Sequence, residues 1–172
     1  NEGSSGNKVD LNTTFSATIS DTNIGADTLN TFNGIVPGLI TATTVTNLTG
    51  SAADMATLIG NTGTTGNAVN LDSDFTATVD AGSVGAANLN TINAATTGLI
   101  SATNATVITG TASALNTLVG NEGTAGDKVD LASDVAITVD AGTTTAAQLN
   151  TINAITTGLV TATAVTAISG TA

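Results

Sequence analysis

A 60-residue repeat constrains the fold of this 172-residue chain more than any other feature of its sequence. The segment 85–103, GAANLNTINAATTGLISAT, recurs at 145–163 as TAAQLNTINAITTGLVTAT, and a more diverged copy occupies 25–43. The three copies span residues 1–60, 61–120 and 121–172, of which the last is incomplete. A repeat of this size predicts a stack in which each unit packs against its neighbours. We therefore expect one solenoid segment over residues 1–172 rather than several globular domains.

Each copy combines strand patterns with two short helix patterns. Ala86, Leu89 and Ile92 have the spacing of one helical face, and Leu115-Asn-Thr-Leu118 resembles Leu89-Asn-Thr-Ile92. The two helices alternate along the chain, with a shorter interval from Leu89 to Leu115 and a longer one from Leu115 to Leu149. The 60-residue unit is thus predicted to contain two related half-repeats, each with a strand region and a helix. The fold class expected is a repeat solenoid, either a β-solenoid or an α/β solenoid with short helices, and right-handed.

Period-two alternation predicts strands at the same place in each copy. Phe15–Ser20, Phe75–Asp80 and Val135–Asp140 place apolar residues on one face, and these strands are expected to stack on one another as inner ladders. A second strand region is predicted after the glycines at 38, 98 and 158, over residues 39–46, 99–106 and 159–166. Asn30, Asn90 and Asn150 recur inside the first helix, where bonding to the backbone of the stack is expected. Ser51 and Thr111 are predicted to cap the second helix, with Asp54 in its first turn.

Composition excludes several classes of function. The chain contains no His, Cys, Trp, Tyr or Arg, and its net charge of −11 includes only two cations, Lys8 and Lys128. Nucleic-acid binding requires a basic face that neutralises phosphates, and anionic membranes require the same. Disulfides and zinc–thiolate sites require cysteine. No apolar run reaches the roughly 20 residues of a membrane-spanning helix. The sequence therefore predicts neither an enzyme nor a nucleic-acid or membrane-inserted protein.

The repeat sequences also support a resemblance. The runs AQLNTINAITTGLV (147–160) and VITGTASALNTLV (107–119) resemble tandem repeats of very large secreted or surface proteins of cyanobacteria and proteobacteria. This resemblance covers nearly the whole chain and implies an extracellular, adhesive or fibre-forming role. It transfers no functional residue. The glycine- and aspartate-rich calcium nonapeptide carried by many such proteins is not found in this sequence.

Two ligand hypotheses accompany the structural interpretation. Calcium prefers oxygen ligands, and the densest acids are the candidates for binding it, against the simpler interpretation of a solvated acidic face. These calcium candidates are Asp72, Asp74, Asp80, Asp134 and Asp140. The glycine loops at 1–6, 61–66 and 121–126 are interpreted as turns, with a phosphate or cation cradle as the weaker alternative because a strand rather than a helix is predicted to follow.

Threonine pairs suggest the second ligand hypothesis. Thr41 and Thr43 match Ser101 and Thr103, and also Thr161 and Thr163, as an ice-binding face of a solenoid would require. The alternative is that threonine simply suits exposed strands. The sequence as a whole predicts a stiff structural segment of an extracellular bacterial surface protein or filament, which requires no cofactor and associates end to end through unpaired strand edges. A ligand-binding solenoid for calcium or ice is the alternative.

Overall fold

The computed structural model describes residues 5–6, 9 and 11–170, and these residues form an α/β fold of parallel sheets with five short helices. The helices are α1 (Ala26–Asn33), α2 (Ala52–Gly60), α3 (Ala86–Asn93), α4 (Ala112–Asn121) and α5 (Ala146–Ala154). The strands are β1 (Ala17–Thr18), β2 (Asn23–Gly25), β3 (Ile40–Ala42), β4 (Asn47–Gly50), β5 (Val69–Leu71), β6 (Thr76–Val79), β7 (Gly82–Gly85), β8 (Ile100–Ala102), β9 (Ala105–Gly110), β10 (Val129–Leu131), β11 (Ala136–Val139), β12 (Gly142–Thr145), β13 (Val160–Thr161) and β14 (Val165–Ser169). Lys8 and most of the first glycine loop lie outside the described residues.

The strands form four sheets, and every described strand pair is parallel and joins successive half-repeats. One sheet has five strands in the order β2-β4-β6-β8-β10. The others are β1-β3-β5, β7-β9-β11-β13 and β12-β14. Parallel neighbours need a crossover connection, and in this chain each crossover includes a helix.

Strand positions repeat with the 60-residue unit, so that every sheet can be described by five numbered positions. Position one holds β2, β7 and β12; position two holds β4, β9 and β14; position three holds β1, β6 and β11; position four holds β3, β8 and β13; position five holds β5 and β10. The five-stranded sheet fills all five positions. The other three sheets fill positions three to five, one to four, and one to two.

The sheets slant across the row of helices. In the five-stranded sheet, the gap from each strand's last residue to the first residue of the next helix is 1, 2, 7, 10 and 15 positions (25 to 26, 50 to 52, 79 to 86, 102 to 112, 131 to 146). Along the chain, each strand of this sheet is thus separated from the helix that follows it by more residues than the previous strand is. The two sheets that reach position five end at a glycine loop, and by then the next sheet has begun beside the helix.

The glycine loops cover the last strand of a sheet. Thr62 and Val69 form a parallel bridge, and Glu122 and Val129 form the equivalent one in the next copy. The Gly63 N–H donates to the Val69 carbonyl at 3.0 Å, and the Val69 N–H donates to the Asn61 carbonyl at 3.0 Å. The loop therefore satisfies backbone groups that would otherwise form an open edge.

The apolar core lies between the inward faces of the sheets and the helices. In the five-stranded sheet Leu48, Ala77, Ile100 and Val129 are aligned by the strand register, and all are at most 1% exposed. The predicted helical face of Ala86, Leu89 and Ile92 is likewise fully buried. The inward assignments from the sequence are therefore confirmed for the second copy.

The predicted ladders between equivalent strands of successive copies were wrong. β1, β6 and β11 come from Phe15–Ser20, Phe75–Asp80 and Val135–Asp140, but they belong to three different sheets. β6 instead pairs with β4 and β8, because the half-repeat is the stacking unit. For the same reason the second strand region is divided by a turn into two strands that join separate sheets.

The helices pack in sequence order, α1 on α2 and so on to α5. Asn30 Nδ2 donates to the Asp54 carbonyl and Asn90 Nδ2 to the Ala114 carbonyl, both at 2.9 Å, so each asparagine joins its helix to the next one. Asn150, in the last described helix, is exposed.

The predicted helix caps are present. Ser51 Oγ accepts from the Asp54 N–H at 3.1 Å and donates to the Asp54 carboxylate at 2.6 Å, which keeps this acid in the first turn. Thr111 Oγ1 accepts from the Ala114 N–H at 3.2 Å. A further capping box at the start of α5, between Thr145 and Gln148, was not predicted.

Candidate functional site

The five aspartates considered as calcium ligands are all exposed and lie at separate turns and strand ends. Asp72 and Asp74 lie in the turn between β5 and β6, Asp134 lies in the equivalent turn between β10 and β11, and Asp80 and Asp140 follow β6 and β11. Asp72 Oδ1 accepts from the N–H of its own neighbour in the turn at 2.7 Å. Among the described residues, no three acidic, histidine or cysteine side chains gather around a common point where a metal ion could bind. The structure thus brings Asp72 and Asp74 into one turn and keeps the other three apart.

The threonine pairs are separated in the same way. Thr41, Ser101 and Thr161 occupy position four of three different sheets, and their partners at 43, 103 and 163 lie in turns. The outward rows that the register creates are different ones, such as Thr109, Thr138 and Thr161. The residues proposed for an ice-binding face therefore do not share one sheet.

The glycine loops use their own amide groups. The Gly63 and Gly123 N–H groups donate to the carbonyls of Val69 and Val129. A strand follows the loops at 61–66 and 121–126, as predicted, so no helix N-terminus points at either of them. The loops are structural covers for a strand edge, and the phosphate-cradle alternative draws no support from their geometry.

Chemical groups suited to catalysis are dispersed. No described aspartate, glutamate or lysine side chain is buried, and the buried polar residues are two threonines, Thr96 and Thr144. Thr96 Oγ1 donates to the Phe75 carbonyl and accepts from the Gly98 N–H, so its hydroxyl group serves the backbone. General acid–base chemistry needs titratable groups held together in a cleft, and the described residues provide no such cluster.

An apolar groove of about 420 Å³ lies beside β1 and α1. Phe32 is 41% exposed and Ile35 is 52% exposed, whereas Ile92, the counterpart of Phe32 in the second copy, is fully buried. α3 packs between α2 and α4, whereas α1 packs on α2 and has no described helix on its other side. The residues lining the groove are Val9, Leu11, Phe15, Ala17, Phe32, Ile35 and Val36.

A second exposed surface lies at β13 and β14, and we call it the β14 surface. Leu159 is 74% exposed and Ile168 is 60% exposed, whereas Ile108, the counterpart of Ile168, is fully buried. β14 pairs only with β12, so one of its edges has no partner among the described strands. The sequence predicted unpaired strand edges, but the residues that form them could be identified only from the sheet order.

No helix in the described part of the chain has the length and hydrophobicity needed to cross a membrane. Comparison of the chain with protein-family models, with curated proteins and with solved structures returned no match. The functional argument therefore rests on the geometry of these surfaces and of the repeat.

Proposed function

We propose that the chain is a structural segment: an α/β solenoid that serves as a stiff rod in an extracellular bacterial surface protein or filament. The observation that carries this proposal is the recurrence of the same strand positions and one helix row, with five positions in the second and third units and four of them among the described residues of the first. A unit with this property can be added without changing the contacts of the others.

Several contacts join each half-repeat to the next one. Parallel strand pairs, the packing of successive helices and the amide bonds of Asn30 and Asn90 all cross the same boundaries. The buried apolar residues form one continuous cluster through these boundaries. Bending the array would open that cluster to water, and this cost makes the array stiff.

Surface chemistry suits a solvated rod and names no target. Outward threonine and asparagine side chains keep the sheets solvated, and the net charge of −11 opposes nonspecific association. The chain contains no cysteine, so its fold has no thiol that depends on redox conditions. The extracellular location itself is proposed from the resemblance to repeats of large secreted and surface proteins.

Small-angle X-ray scattering of a lengthened chain tests the solenoid. In the lengthened chain, a second copy of residues 61–120 is inserted after Gly120. The original and the lengthened chain are both measured at concentrations at which sedimentation shows them to be monomeric. We expect the maximum dimension to increase while the cross-sectional radius of gyration stays constant. An increase in both dimensions would indicate a globular arrangement and would overturn the proposal.

Within the described ranges, no specific contact favours the alternative of a ligand-binding solenoid. The calcium candidates and the threonine pairs are dispersed over separate turns and sheets, as described above. We therefore propose the structural role alone.

A further inference from the structure

The incomplete sheets at the two ends of the described structure are complementary. The β12-β14 sheet fills positions one and two, and the β1-β3-β5 sheet fills positions three to five. Placed side by side, these two partial sheets would fill the same five positions as the complete five-stranded sheet. The β7-β9-β11-β13 sheet lacks position five only, and residues 9–11 are the first-copy counterpart of the position-five strands β5 and β10.

We propose that a second copy of this chain docks head to tail, so that β14 of one copy pairs in parallel with β1 of the next. In the same junction, β13 of the first copy lies beside Val9 of the second. This inference rests on the proposed solenoid and adds its partner and the register of contact.

Internal pairs specify the register. β9 pairs with β11 through Ile108 and Ile137, and through Thr109 and Thr138. Moving the β9 residues forward by one repeat gives Ile168 and Ser169, and moving the β11 residues back by two repeats gives Ala17 and Thr18. The same register therefore places Ile168 opposite Ala17, and Ser169 opposite Thr18. The pairing of β8 with β10 places Val160 opposite Val9 in the same way.

Backbone groups on both edges already have the orientation that the junction needs. The Ala17 N–H donates to Leu39 and the Ile19 N–H to Thr41, so the N–H groups of the intervening residues point away from β3. Inside the chain, the Asp80 N–H donates to the Gly50 carbonyl at 2.9 Å, with Gly50 at φ +131°. Gly170 is the counterpart of Gly50.

Gly170 has the same unusual backbone conformation, with φ +139°. The carbonyls of Gly50 and Gly110 both accept from the counterpart of Ser20, so the Gly170 carbonyl would accept from the Ser20 N–H of the second copy. The Ile168 side chain would enter the apolar groove beside Ala17 and Phe15. Docking therefore covers apolar surface on both copies at once.

Charged residues are absent from the β14 side of the junction and from the segment around β1, and Asp10 is the one charged residue between Val9 and Leu11. Residues 141–172 contain no Asp, Glu, Lys or Arg, and neither does the segment 11–20. Ser20 stands where the other two copies carry Asp80 and Asp140. Two chains that each carry a net charge of −11 can therefore approach through these ends with the least repulsion.

The junction lacks one internal contact. Inside the chain α3 has a helix on both sides, α2 and α4, whereas the described residues provide no helix on the side of α1 away from α2. Association between copies is therefore weaker than the internal stacking, and it depends on concentration.

Cysteine cross-linking tests the register, because the chain has no cysteine of its own. Separate Ser169→Cys and Thr18→Cys chains are mixed under mild oxidation. Opposite residues of neighbouring strands are about 5 Å apart at Cα, within the range for a disulfide. A Ser16→Cys chain is the matched control, since a two-residue offset makes the distance about 8 Å. We expect the Ser169–Thr18 heterodimer to form at least about tenfold faster than the Ser169–Ser16 heterodimer.

Sedimentation of the unmodified chain gives a second readout. Self-association should increase with concentration, and Ile168→Lys should weaken it about tenfold or more because a charge would enter the groove. Thr163→Lys is the control, since it adds the same charge at an exposed turn outside the junction. A chain that remains monomeric at millimolar concentration, or that cross-links equally through Ser16, would overturn the proposed junction. Scattering from the lengthened monomer does not depend on this junction, so the solenoid would be judged separately.

Discussion

At the scale of single residues, the glycine before the second strand region is required by space rather than by its dihedral angles. A Cβ added to Gly98 would lie 2.3 Å from the Phe75 carbonyl oxygen, and at Gly158 it would lie 2.3 Å from the Asp134 carbonyl oxygen. Neither glycine has a positive φ. The close backbone approach explains why this glycine occurs at the same place in all three copies.

Gly98→Ala should therefore destabilise the chain by about 1–3 kcal/mol, because the backbone must separate to admit the methyl group. Gly120→Ala is the matched control, since a Cβ there meets nothing within 4 Å and the residue lies in α4. We expect the control to stabilise the chain by up to about 1 kcal/mol. Urea denaturation measures both variants, and equal effects would contradict the packing argument.

The asparagines of the helix row illustrate how one residue type takes different roles along the array. Asn90 donates to the Ala114 carbonyl of the next helix, whereas Asn150 is exposed because no described helix follows α5. The Oδ1 atom of Asn90 is buried and has no hydrogen-bond partner, so the bond through Nδ2 is the side chain's only described one.

Asn90→Asp should destabilise the chain by at least about 1 kcal/mol more than Asn150→Asp. The carboxylate at position 90 loses the donor and faces the Ala114 carbonyl, while the carboxylate at position 150 remains in water. Both changes have the same effect on helix propensity, so the difference isolates the contact between helices. Thermal unfolding of the two variants measures it, and identical midpoints would mean that the bond contributes nothing.

At the scale of elements, the glycine loop is the device that ends a sheet. Gly126 has φ +68° and Gly66 has φ +67°, a conformation that a β-branched residue strongly disfavours. Within the loop, the Gly123 N–H donates a hydrogen bond to the Val129 carbonyl at 3.1 Å. Without the loop, β10 would present an open edge in the middle of the chain.

Gly126→Val should release the loop and expose that edge. Amide hydrogen exchange should accelerate at Gly123 and Val129, while the amides of β9 and β11 stay protected because their pairing is independent of the loop. Thr124→Val is the control, since it places the same side chain at an exposed position of the same loop. Unchanged exchange in the Gly126 variant would show that the loop is not needed to cover β10.

At the scale of the whole molecule, the slant of the sheets reconciles two packing distances. Helices pack about 8–10 Å apart, whereas neighbouring strands lie about 4.8 Å apart. The strands of the five-stranded sheet drift relative to the helices by about (15 − 1)/4, or 3.5, positions per half-repeat. Because the strands shift relative to the helices at each half-repeat, the closer spacing of the strands and the wider spacing of the helices are accommodated in one stack.

The acidic surface acts on the molecule as a whole. The chain contains thirteen acidic residues and only two lysines, so like charges repel one another across the folded molecule. Salt screens this repulsion and should therefore stabilise the fold. We expect the melting temperature to rise by several degrees between about 0.01 and 0.15 M sodium chloride. Magnesium and calcium chloride at equal ionic strength should have equal effects, because the described acids do not gather at one point. A larger shift with calcium would instead assign a site, and Asp72→Asn and Asp74→Asn would locate it.

The sequence by itself determined the elements and their inward faces. The alternating helix intervals, the caps at Ser51 and Thr111 and the burial of Leu89 all follow from local chemistry, namely side-chain periodicity and the hydrogen bonds available at a helix start. These properties depend on neighbours a few positions away, which a sequence shows directly.

Only the tertiary structure decided which strands are neighbours. Strands one full repeat apart look alike, yet β6 pairs with β4 and β8, and the threonine pairs at Thr41 and Ser101 belong to different sheets. Similar sequences in two copies indicate that their residues have equivalent surroundings. Which strands pair depends instead on how far each half-repeat moves the chain along the stack. That advance is set by the helices and strands packing together, and for this reason the five strand positions and the complementary ends were visible only in the folded chain.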